Sequence, residues 1–422
     1  MKVLVVSNEI PRFPGGGGDT RVINLLRQLS MRCELHFLPL PYGGYPDEQA
    51  SNFKRNFPAV EFVDMARANS RELLAAVPRP LWRRLVNRAL HLIPTEPPFR
   101  AAWTKDYLGV VAAALTEAIS AGAYDVIQFE HSELASWSSL VQWPGYRVLD
   151  FHDVVYSELC TYKRTQTSRL GRLETIIECR KFMTYERTAA RRFDLCLVVS
   201  ETERERLVRI QPRARVSVIP NGVDTAYFGP SFRGYDPYRL VFTGSMSHSP
   251  NVDAMTFFCR EMLPLVRERM PEVRLDIVGL NPAPAVRVLE KQYPRVRVTG
   301  AVVDVRPYIL DAAVYVAPIT SGGGTRLKIL EALACGKAVV ATRFACNGLQ
   351  VHDGANILLR DDPEGFAEAI IDLLGDPAKV QRLGRAGREL VVGQFDWTVV
   401  GERLFDAYQK LSHHSTQFLP HA

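Results

Sequence analysis

The chain has 422 residues, of which 47% are hydrophobic and 23% are charged, an ordinary composition for a globular protein. A single core stops growing near ~250–300 residues, so this length predicts two domains. The net charge of +6 is accompanied by no recognisable nucleic-acid-reading motif, and we expect no nucleic-acid partner.

Strand and helix patterns alternate through the first half of the chain. Helices are predicted at Thr20–Leu29 and Leu108–Ala121. The predicted strands are short apolar runs, at Lys2–Ser7, Cys33–Leu38, Asp125–Phe129, Arg147–Phe151, Leu195–Ser200 and Val216–Ile219. Continuous apolar strands are typical of parallel sheets that are covered on both faces. The first half therefore predicts a doubly wound α/β domain.

A second series of the same kind follows the turn residues Pro220–Asp224. Its predicted strands are Arg239–Thr243, Arg274–Val278, Arg295–Thr299, Val314–Ala317, Ala338–Thr342 and Ile357–Leu359. Pro363–Leu374 is predicted as one of its last helices. We expect two Rossmann-like parallel sheets that face a cleft, with domains at 1–215 and 216–395 and a helix with a tail at 396–422.

The sequence gives two indications about location. No run of ~18 uninterrupted apolar residues occurs, and seven cysteines are scattered without a CxxC pair. We therefore expect no signal peptide, no membrane span, reduced thiols and a cytoplasmic protein. The segment Arg79–Ile93 sets apolar residues on one helical face and arginines elsewhere, so it either packs into its own domain or contacts an anionic membrane surface.

A glycine loop at Gly322, Gly323 and Gly324 stands between a predicted strand and a predicted helix. Glycines allow a close approach of the backbone to an anion, and the start of a helix directs free N–H groups towards it. Arg326 and Lys328 add two cations, and Glu331 is suited to accept hydrogen bonds from a pair of sugar hydroxyls. This pattern predicts a sugar-nucleotide site.

Several blocks resemble the retaining, nucleotide-sugar-dependent glycosyltransferases of family 4, which have the GT-B fold. They are Val218–Asp224, Phe242–Ser245, Ile277–Gly279, Gly300–Val302, Leu330–Ala341 and Phe395–Trp397. The resemblance implies transfer of a sugar from a nucleotide-diphosphate sugar with retention of configuration, without a required metal or other cofactor. It also implies that the C-terminal helix crosses back to the first domain.

The resemblance assigns donor residues one at a time. Glu331 matches the second glutamate of the family's E-x7-E motif, and the first would fall at Gly323, so this chain lacks it. The turn at Gly300 and Val302 matches the family's base-binding turn. The remaining donor-site candidates are backbone and loop positions, at Gly16, Gly17, Gly244, Ser245, Gly323, Gly324 and Thr325, with Arg21 as a further candidate beside the first loop.

Catalytic candidates follow two strands of the first domain. Glu130 falls where the family commonly has a histidine near the transferred sugar, with His131 one position later. Either could bond a sugar hydroxyl, Glu130 could act as a base, and His131 could instead be a structural loop residue. His152 and Asp153 resemble the family's His-Asp pair beside the acceptor pocket.

The expected function is that of a metal-independent glycosyltransferase in envelope polysaccharide, glycolipid or natural-product biosynthesis. Its expected partners are a nucleotide sugar, based on UDP, GDP, ADP or TDP, and a carbohydrate, lipid-linked or small-molecule acceptor. Two alternatives stay open: a sugar-nucleotide epimerase of the same architecture, and a catalytically silent subunit that binds a nucleotide sugar.

Overall fold

A computed structural model of the protein describes residues 1–13, 15–41, 44–64, 105–156, 159, 168–231, 234–322 and 326–415. The chain divides into two compact units. The first comprises residues 1–220 and 401–422, and the second comprises residues 221–400. The divisions between the two units fall after Pro220 and after Val400. The domain limits expected from the sequence stay predictions.

The first unit is built on a seven-stranded, all-parallel sheet with the order β3-β2-β1-β4-β5-β6-β7. Its strands are β1 (Lys2–Ser7), β2 (Glu34–Pro39), β3 (Val60–Phe62), β4 (Val126–Glu130), β5 (Tyr146–Asp150), β6 (Leu195–Val198) and β7 (Val216–Val218). The apolar residues of β1 are fully buried because helices cover both faces of the sheet. Strand β3, which the sequence did not predict, pairs with β2 at the edge.

In the described part of the first unit, five helices and a 3₁₀ segment connect these strands. They are α1 (Gly17–Ser30), α2 (Asp47–Asn56), α3 (Lys105–Ala121), the 3₁₀ helix Ser132–Ser139, α4 (Arg169–Arg192) and α5 (Glu201–Ile210). The Oγ atom of Ser200 accepts a hydrogen bond from the Glu203 N–H at 3.2 Å, which fixes where α5 begins.

The second unit is built on a six-stranded, all-parallel sheet with the order β10-β9-β8-β11-β12-β13. Its strands are β8 (Asp236–Thr243), β9 (Arg274–Val278), β10 (Val296–Gly300), β11 (Ala312–Ala317), β12 (Ala338–Ala341) and β13 (Leu358–Leu359). Two Rossmann-like parallel sheets are therefore confirmed.

The helices of the second half start with α6 (Ser249–Phe257), which continues through one π-helical turn (Phe258–Met262) into α7 (Leu263–Arg269). The others are α8 (Pro284–Gln292), α9 (Arg306–Asp311), α10 (Leu327–Ala334), a 3₁₀ turn (Phe344–Cys346), α11 (Pro363–Gly375), α12 (Pro377–Gln394) and α13 (Trp397–Ser415). By residue number, most of α13 belongs to the first unit.

The strand order decides where each unit can bind a ligand. The order reverses between β1 and β4 in the first sheet and between β8 and β11 in the second. Ligands of open parallel sheets bind beyond the carboxyl ends of the strands at such a reversal. Glu130 and Asp150 end β4 and β5, and α10 follows β11, so the candidate residues lie at these edges.

Two structural observations concern the expected membrane spans and thiols. Among the residues that the structure describes, no helix combines the length and hydropathy needed to cross a bilayer. Free thiols are found at Cys33, Cys196, Cys259, Cys335 and Cys346. Cys179 is disulfide-bonded, so the prediction that all seven cysteines are reduced is wrong at that position.

Candidate active site

The glycine loop after β1 leads into the first turn of α1, where Asp19 organises the backbone. Its carboxylate accepts hydrogen bonds from the backbone N–H of Gly16 at 2.9 Å and of Arg12 at 3.1 Å. Gly16 is the extended residue before the helix, and Gly17 is its first residue. This arrangement leaves the N–H groups of the first helical turn, beginning with Gly17, at the carboxyl edge of the sheet.

Arg21, a donor-site candidate beside the first loop, lies in α1, and its side chain points into the interior of the first unit. Its side chain is 1% exposed and forms an ion pair with Asp150, which is fully buried. Arg21 Nε donates to Asp150 Oδ2 at 2.9 Å and Nη2 donates to Oδ1 at 3.2 Å. Nη1 also donates to the carbonyls of Ile219 and Pro220. These contacts make Arg21 a buried partner of the end of β5.

His152 joins this cluster from the loop after β5. Its Nε2 lies 2.8 Å from Glu130 Oε2, and its backbone N–H donates to Asp150 Oδ1 at 3.3 Å. Because a carboxylate only accepts hydrogen bonds, Nε2 carries the proton. Both His131 and His152 have left-handed backbone, with φ of 68° and 55°, which non-glycine residues rarely adopt.

The predicted catalytic side chains are therefore brought together in pairs. The rings of His131 and His152 lie 3.9 Å apart between centroids, and Glu130 is held by His152 on one oxygen and by Gln128 on the other at 2.6 Å. This engagement of both oxygens disfavours Glu130 as a base. Asp153 follows His152, and its backbone N–H donates to the carbonyl of Phe151.

The pKa values of the two histidines are shifted in opposite directions. Burial, followed by the charge of His152, lowers the pKa of His131 to about 3, so this ring is neutral at pH 7. Burial also opposes the charge on His152, but Asp150 and Glu130 outweigh it and raise the pKa of His152. Burial likewise opposes ionisation of Asp150, and Arg21 and His152 nevertheless hold its pKa below the usual range.

Glu130, Asp150 and His152 each offer a possible metal-ligand atom, and these atoms lie within 4.8 Å of one another. The guanidinium of Arg21, however, already contacts both carboxylate oxygens of Asp150. A second cation beside Arg21 would meet electrostatic repulsion, so the donor set fits a metal ion poorly.

Gly18 is a residue that sequence reasoning missed. A Cβ atom at this position would lie 3.9 Å from His152 Nδ1 and 3.9 Å from His131 Cε1. The exposed first turn of α1 therefore borders both rings, and a glycine keeps the space in front of them open. The fourth glycine of the run Gly15–Gly18 was the available signal.

In the second unit, the end of β8 contacts the side chains that follow β11. Lys328 Nζ donates to Asn251 Oδ1 at 2.7 Å and lies 4.4 Å from the centroid of the Phe242 ring. Asn251 Nδ2 donates in turn to the carbonyl of Ser245 at 2.8 Å. Gly244 has φ of 152°, and a Cβ there would lie 2.5 Å from Lys328 Nζ, so glycine is what permits this approach.

Lys328 and Glu331 are half-buried on α10 and influence each other's charge. Burial lowers the pKa of Lys328 to about 7, with Glu331 opposing the shift. Burial raises the pKa of Glu331 to about 7, with Lys328 opposing that shift. Within the described part of the chain, no hydrogen bond reaches the Glu331 carboxylate. An incoming polar ligand would therefore supply missing interactions.

The side chain of Arg326 forms hydrogen bonds to the loop before α10. Its Nη2 donates to the carbonyls of Gly322 at 2.8 Å and Ser321 at 3.3 Å. Gly300 and Val302 are further donor candidates. Gly300 has φ of 71°, and a Cβ there would meet no atom of the described residues within 4 Å, whereas Val302 packs on the core of the unit. Gly323, Gly324, Thr325 and the segment 79–93 lie outside the described residues.

Comparison with known proteins gives two family matches. Residues 15–227, half of the chain, match the family described as Glycosyltransferase Family 4. Residues 237–376 match the family described as Glycosyl transferases group 1. The two matches fall on the two halves of the chain that carry the two parallel sheets.

The individual curated relatives have low sequence identity to this chain and align with only part of it. Alpha-maltose-1-phosphate synthase of Mycolicibacterium smegmatis is 28% identical over 54% of this chain and 66% of its own. Phosphatidyl-myo-inositol mannosyltransferase of the same organism is 29% identical over 46% of this chain and 52% of its own. The chain thus spans about half to two thirds of the length of these curated relatives.

Among solved structures, HepE of Anabaena in complex with UDP and glucose superimposes with a TM-score of 0.61 at 15% identity, covering 97% of this chain and 100% of its own. That identity supports the fold alone. Together with the two all-parallel sheets and the family match over half of the sequence, it shows that the chain belongs to glycosyltransferase family 4 and has the GT-B fold.

Proposed function

We propose that this protein is a retaining glycosyltransferase that uses a nucleoside-diphosphate sugar and acts on an envelope polysaccharide, a glycolipid or a small natural-product acceptor. The observation that carries the proposal is the pair Lys328 and Glu331 at the start of α10. It combines a cation next to Gly244 with a carboxylate that receives no hydrogen bond from the described residues, on a chain of family 4.

The donor is proposed to bind at the carboxyl edge of the second sheet. Glu331 would accept hydrogen bonds from two adjacent ribose hydroxyls, and Lys328 would offset the charge of the diphosphate. We favour Lys328 over Arg326 for this role, because Arg326 Nη2 is engaged by the loop carbonyls of Ser321 and Gly322. The turn from Gly300 to Val302 would contact the base through the main chain.

The first unit is proposed to bind the acceptor and the transferred sugar, with His131 and His152 facing them beside Gly18. The bond between the anomeric carbon and the diphosphate oxygen breaks, and the acceptor oxygen bonds to the same face of that carbon. The acceptor proton passes to the departing phosphate oxygen. Glu130 has both oxygens engaged, which fits this front-face route better than a route through a carboxylate base.

Two relatives guide the choice of substrates. HepE was solved with UDP and glucose, so UDP is the first nucleotide to test, followed by GDP, ADP and TDP. Phosphatidyl-myo-inositol mannosyltransferase is a relative whose name describes a lipid acceptor, which puts glycolipids first among acceptors.

Thermal unfolding with each nucleotide tests the proposal. A ligand at 100 times its dissociation constant stabilises by ~2.7 kcal/mol, so one nucleotide should raise the melting temperature of the wild-type protein. Glu331→Ala should lose this response, whereas Glu364→Ala, which removes an exposed carboxylate from the first turn of α11, should keep it. No response to any nucleotide would contradict the donor site, and binding without transfer to any acceptor would favour a silent subunit.

A further inference from the structure

A buried chain of hydrogen bonds runs from the C-terminal helix to His152. The hydroxyl of Tyr408 donates to Gln128 Oε1, and Gln128 Nε2 donates to Glu130 Oε1 at 2.6 Å. Glu130 Oε2 then bonds His152 Nε2 at 2.8 Å. Tyr408 is fully buried, and Gln128 and Glu130 are 1% and 2% exposed. We propose that Tyr408 and Gln128 are positioning residues that fix the orientation of the His152 ring through Glu130.

The chain has one direction. A carboxylate accepts hydrogen bonds, so the Gln128 amide must turn its NH₂ group towards Glu130. Its carbonyl oxygen then faces Tyr408, which must donate. At the far end, Glu130 selects the form of His152 that carries a proton on Nε2. Each member therefore determines the orientation of the next one.

The fixed orientation matters because of where the other ring nitrogen lies. His152 Nδ1 is 3.9 Å from the position that a Cβ on Gly18 would occupy, at the exposed first turn of α1. A ring held on its Nε2 side presents Nδ1 to that space. The inference rests on the proposed function, in which this space receives the sugar or the acceptor.

A purely structural role explains this chain of hydrogen bonds less well than a positioning role. Buried polar groups require complete hydrogen bonding, and apolar side chains of similar volume fill a core at lower cost. Here the polar groups form a continuous line that ends at a histidine with a left-handed backbone. The chain of hydrogen bonds also joins Gln128 and Tyr408, which are 280 positions apart in the sequence. It therefore couples the position of α13 to the orientation of the His152 ring.

Tyr408→Phe tests the proposal because it removes only the hydroxyl. Tyr107→Phe is the matched control. Tyr107 is 1% exposed in the same unit, and its hydroxyl donates to the Leu40 carbonyl at 2.6 Å, which is not part of the chain of hydrogen bonds. Two quantities are measured on the full-length protein: kcat and KM for transfer, and the ¹⁵N chemical shifts of the His152 ring nitrogens. The His152 signals are assigned with His152→Asn.

We expect Tyr408→Phe to lower kcat about tenfold, the effect of one ordinary hydrogen bond, with KM for the donor little changed. The signals of the His152 ring nitrogens should shift in this variant and not in Tyr107→Phe, because the ring loses its fixed orientation. Gln128→Leu should lower kcat similarly, and the double variant should add little, because both residues act through one chain.

Two results would overturn the inference. One is a set of His152 signals that Tyr408→Phe leaves unchanged. The other is an equal fall of kcat in Tyr408→Phe and Tyr107→Phe, which would indicate general loosening of the core. If His152 responds as expected while the wild-type protein transfers no sugar, the positioning chain stands and the proposed function fails.

Discussion

The two units hold their charged residues in contrasting ways. In the first, Arg21, Asp150, Glu130 and His152 form a buried network in which each charged group has a partner at hydrogen-bonding distance. In the second, Glu331 receives no hydrogen bond from the described residues, and burial shifts its pKa and that of Lys328 to about 7. A closed network fixes geometry, whereas an incompletely paired cluster favours the ligand that completes it.

Breaking the closed network should have the largest effect. Asp150→Asn keeps the shape of the side chain but leaves Arg21 buried without its counter-charge. Removing one partner of a buried ion pair destabilises by ~3–5 kcal/mol. Urea denaturation measures the loss of unfolding free energy. Hydrogen exchange of amides in β5 and α1 then shows that the loss lies in the first unit.

An exposed pair provides the control for that substitution. The Arg269 and Glu368 side chains are 58% and 65% exposed and pair at 2.9 Å. Glu368→Gln should change stability by less than ~1 kcal/mol, since exposed ion pairs contribute little. Equal effects of Asp150→Asn and Glu368→Gln would remove the distinction between a closed network and ordinary surface pairing.

The Lys328 and Glu331 pair of the second unit should affect the pH dependence of the unfolding free energy. The pKa of Glu331 rises from 4.5 to about 7 on folding, so the folded state binds more protons than the unfolded state between these values. Stability from this group is fully present below pH 4.5 and is lost as the pH rises through about 7. Glu331→Gln should therefore flatten the fall in unfolding free energy over that window.

The pH window must separate Glu331 from Lys328. The pKa of Lys328 falls from 10.5 to about 7, so its own effect is a gain in stability as the pH rises above about 7. Measurements from pH 4.5 to 7 avoid most of that contribution. Glu364→Gln should follow the wild-type curve, and an unchanged slope in Glu331→Gln would contradict the burial of a charged Glu331.

The sequence predicted features that depend on local pattern. Buried strands such as β1 and the grouping of Lys328 with Glu331 on one helix follow from apolar runs and helical spacing. The three-residue strand β3 is too short to carry such a pattern. Arg21 was a lesser candidate for the donor loop because it follows the glycine run that resembles the family's first loop, yet its partner Asp150 is 129 positions away.

The remaining features of the candidate site depend on tertiary structure. The contact of Tyr408 with Gln128 and the left-handed backbone of His131 and His152 exist only once the sheet and α13 are assembled. The family resemblance suggested Glu130 as a residue beside the transferred sugar and as a possible base. Its bonds to Gln128 and His152 show that a strand end predicts where a side chain lies, but not which of its atoms stay accessible.

The smallest effect on stability, and the most specific on activity, is expected at Gly18. A Cβ there would make ordinary contacts of 3.9 Å with the two histidine rings, so the fold accepts it. Replacing a helical glycine by alanine stabilises by ~0.4–1 kcal/mol where the backbone is compatible. Gly18→Ala should thus be slightly more stable than the wild-type protein while its transfer rate falls, because the methyl group occupies space in front of His131 and His152.

Gly109→Ala is the matched control, since Gly109 lies in α3 of the same unit, and apart from the helix's own backbone no atom of the described residues lies within 4 Å of the added Cβ. It should give a comparable gain in melting temperature with full activity. A Gly18→Ala protein that is stabilised and fully active would show that the substrate does not enter the space beside the rings. The closed network of the first unit would then serve the fold alone, and the comparison between the two units would become one between a structural cluster and a binding site.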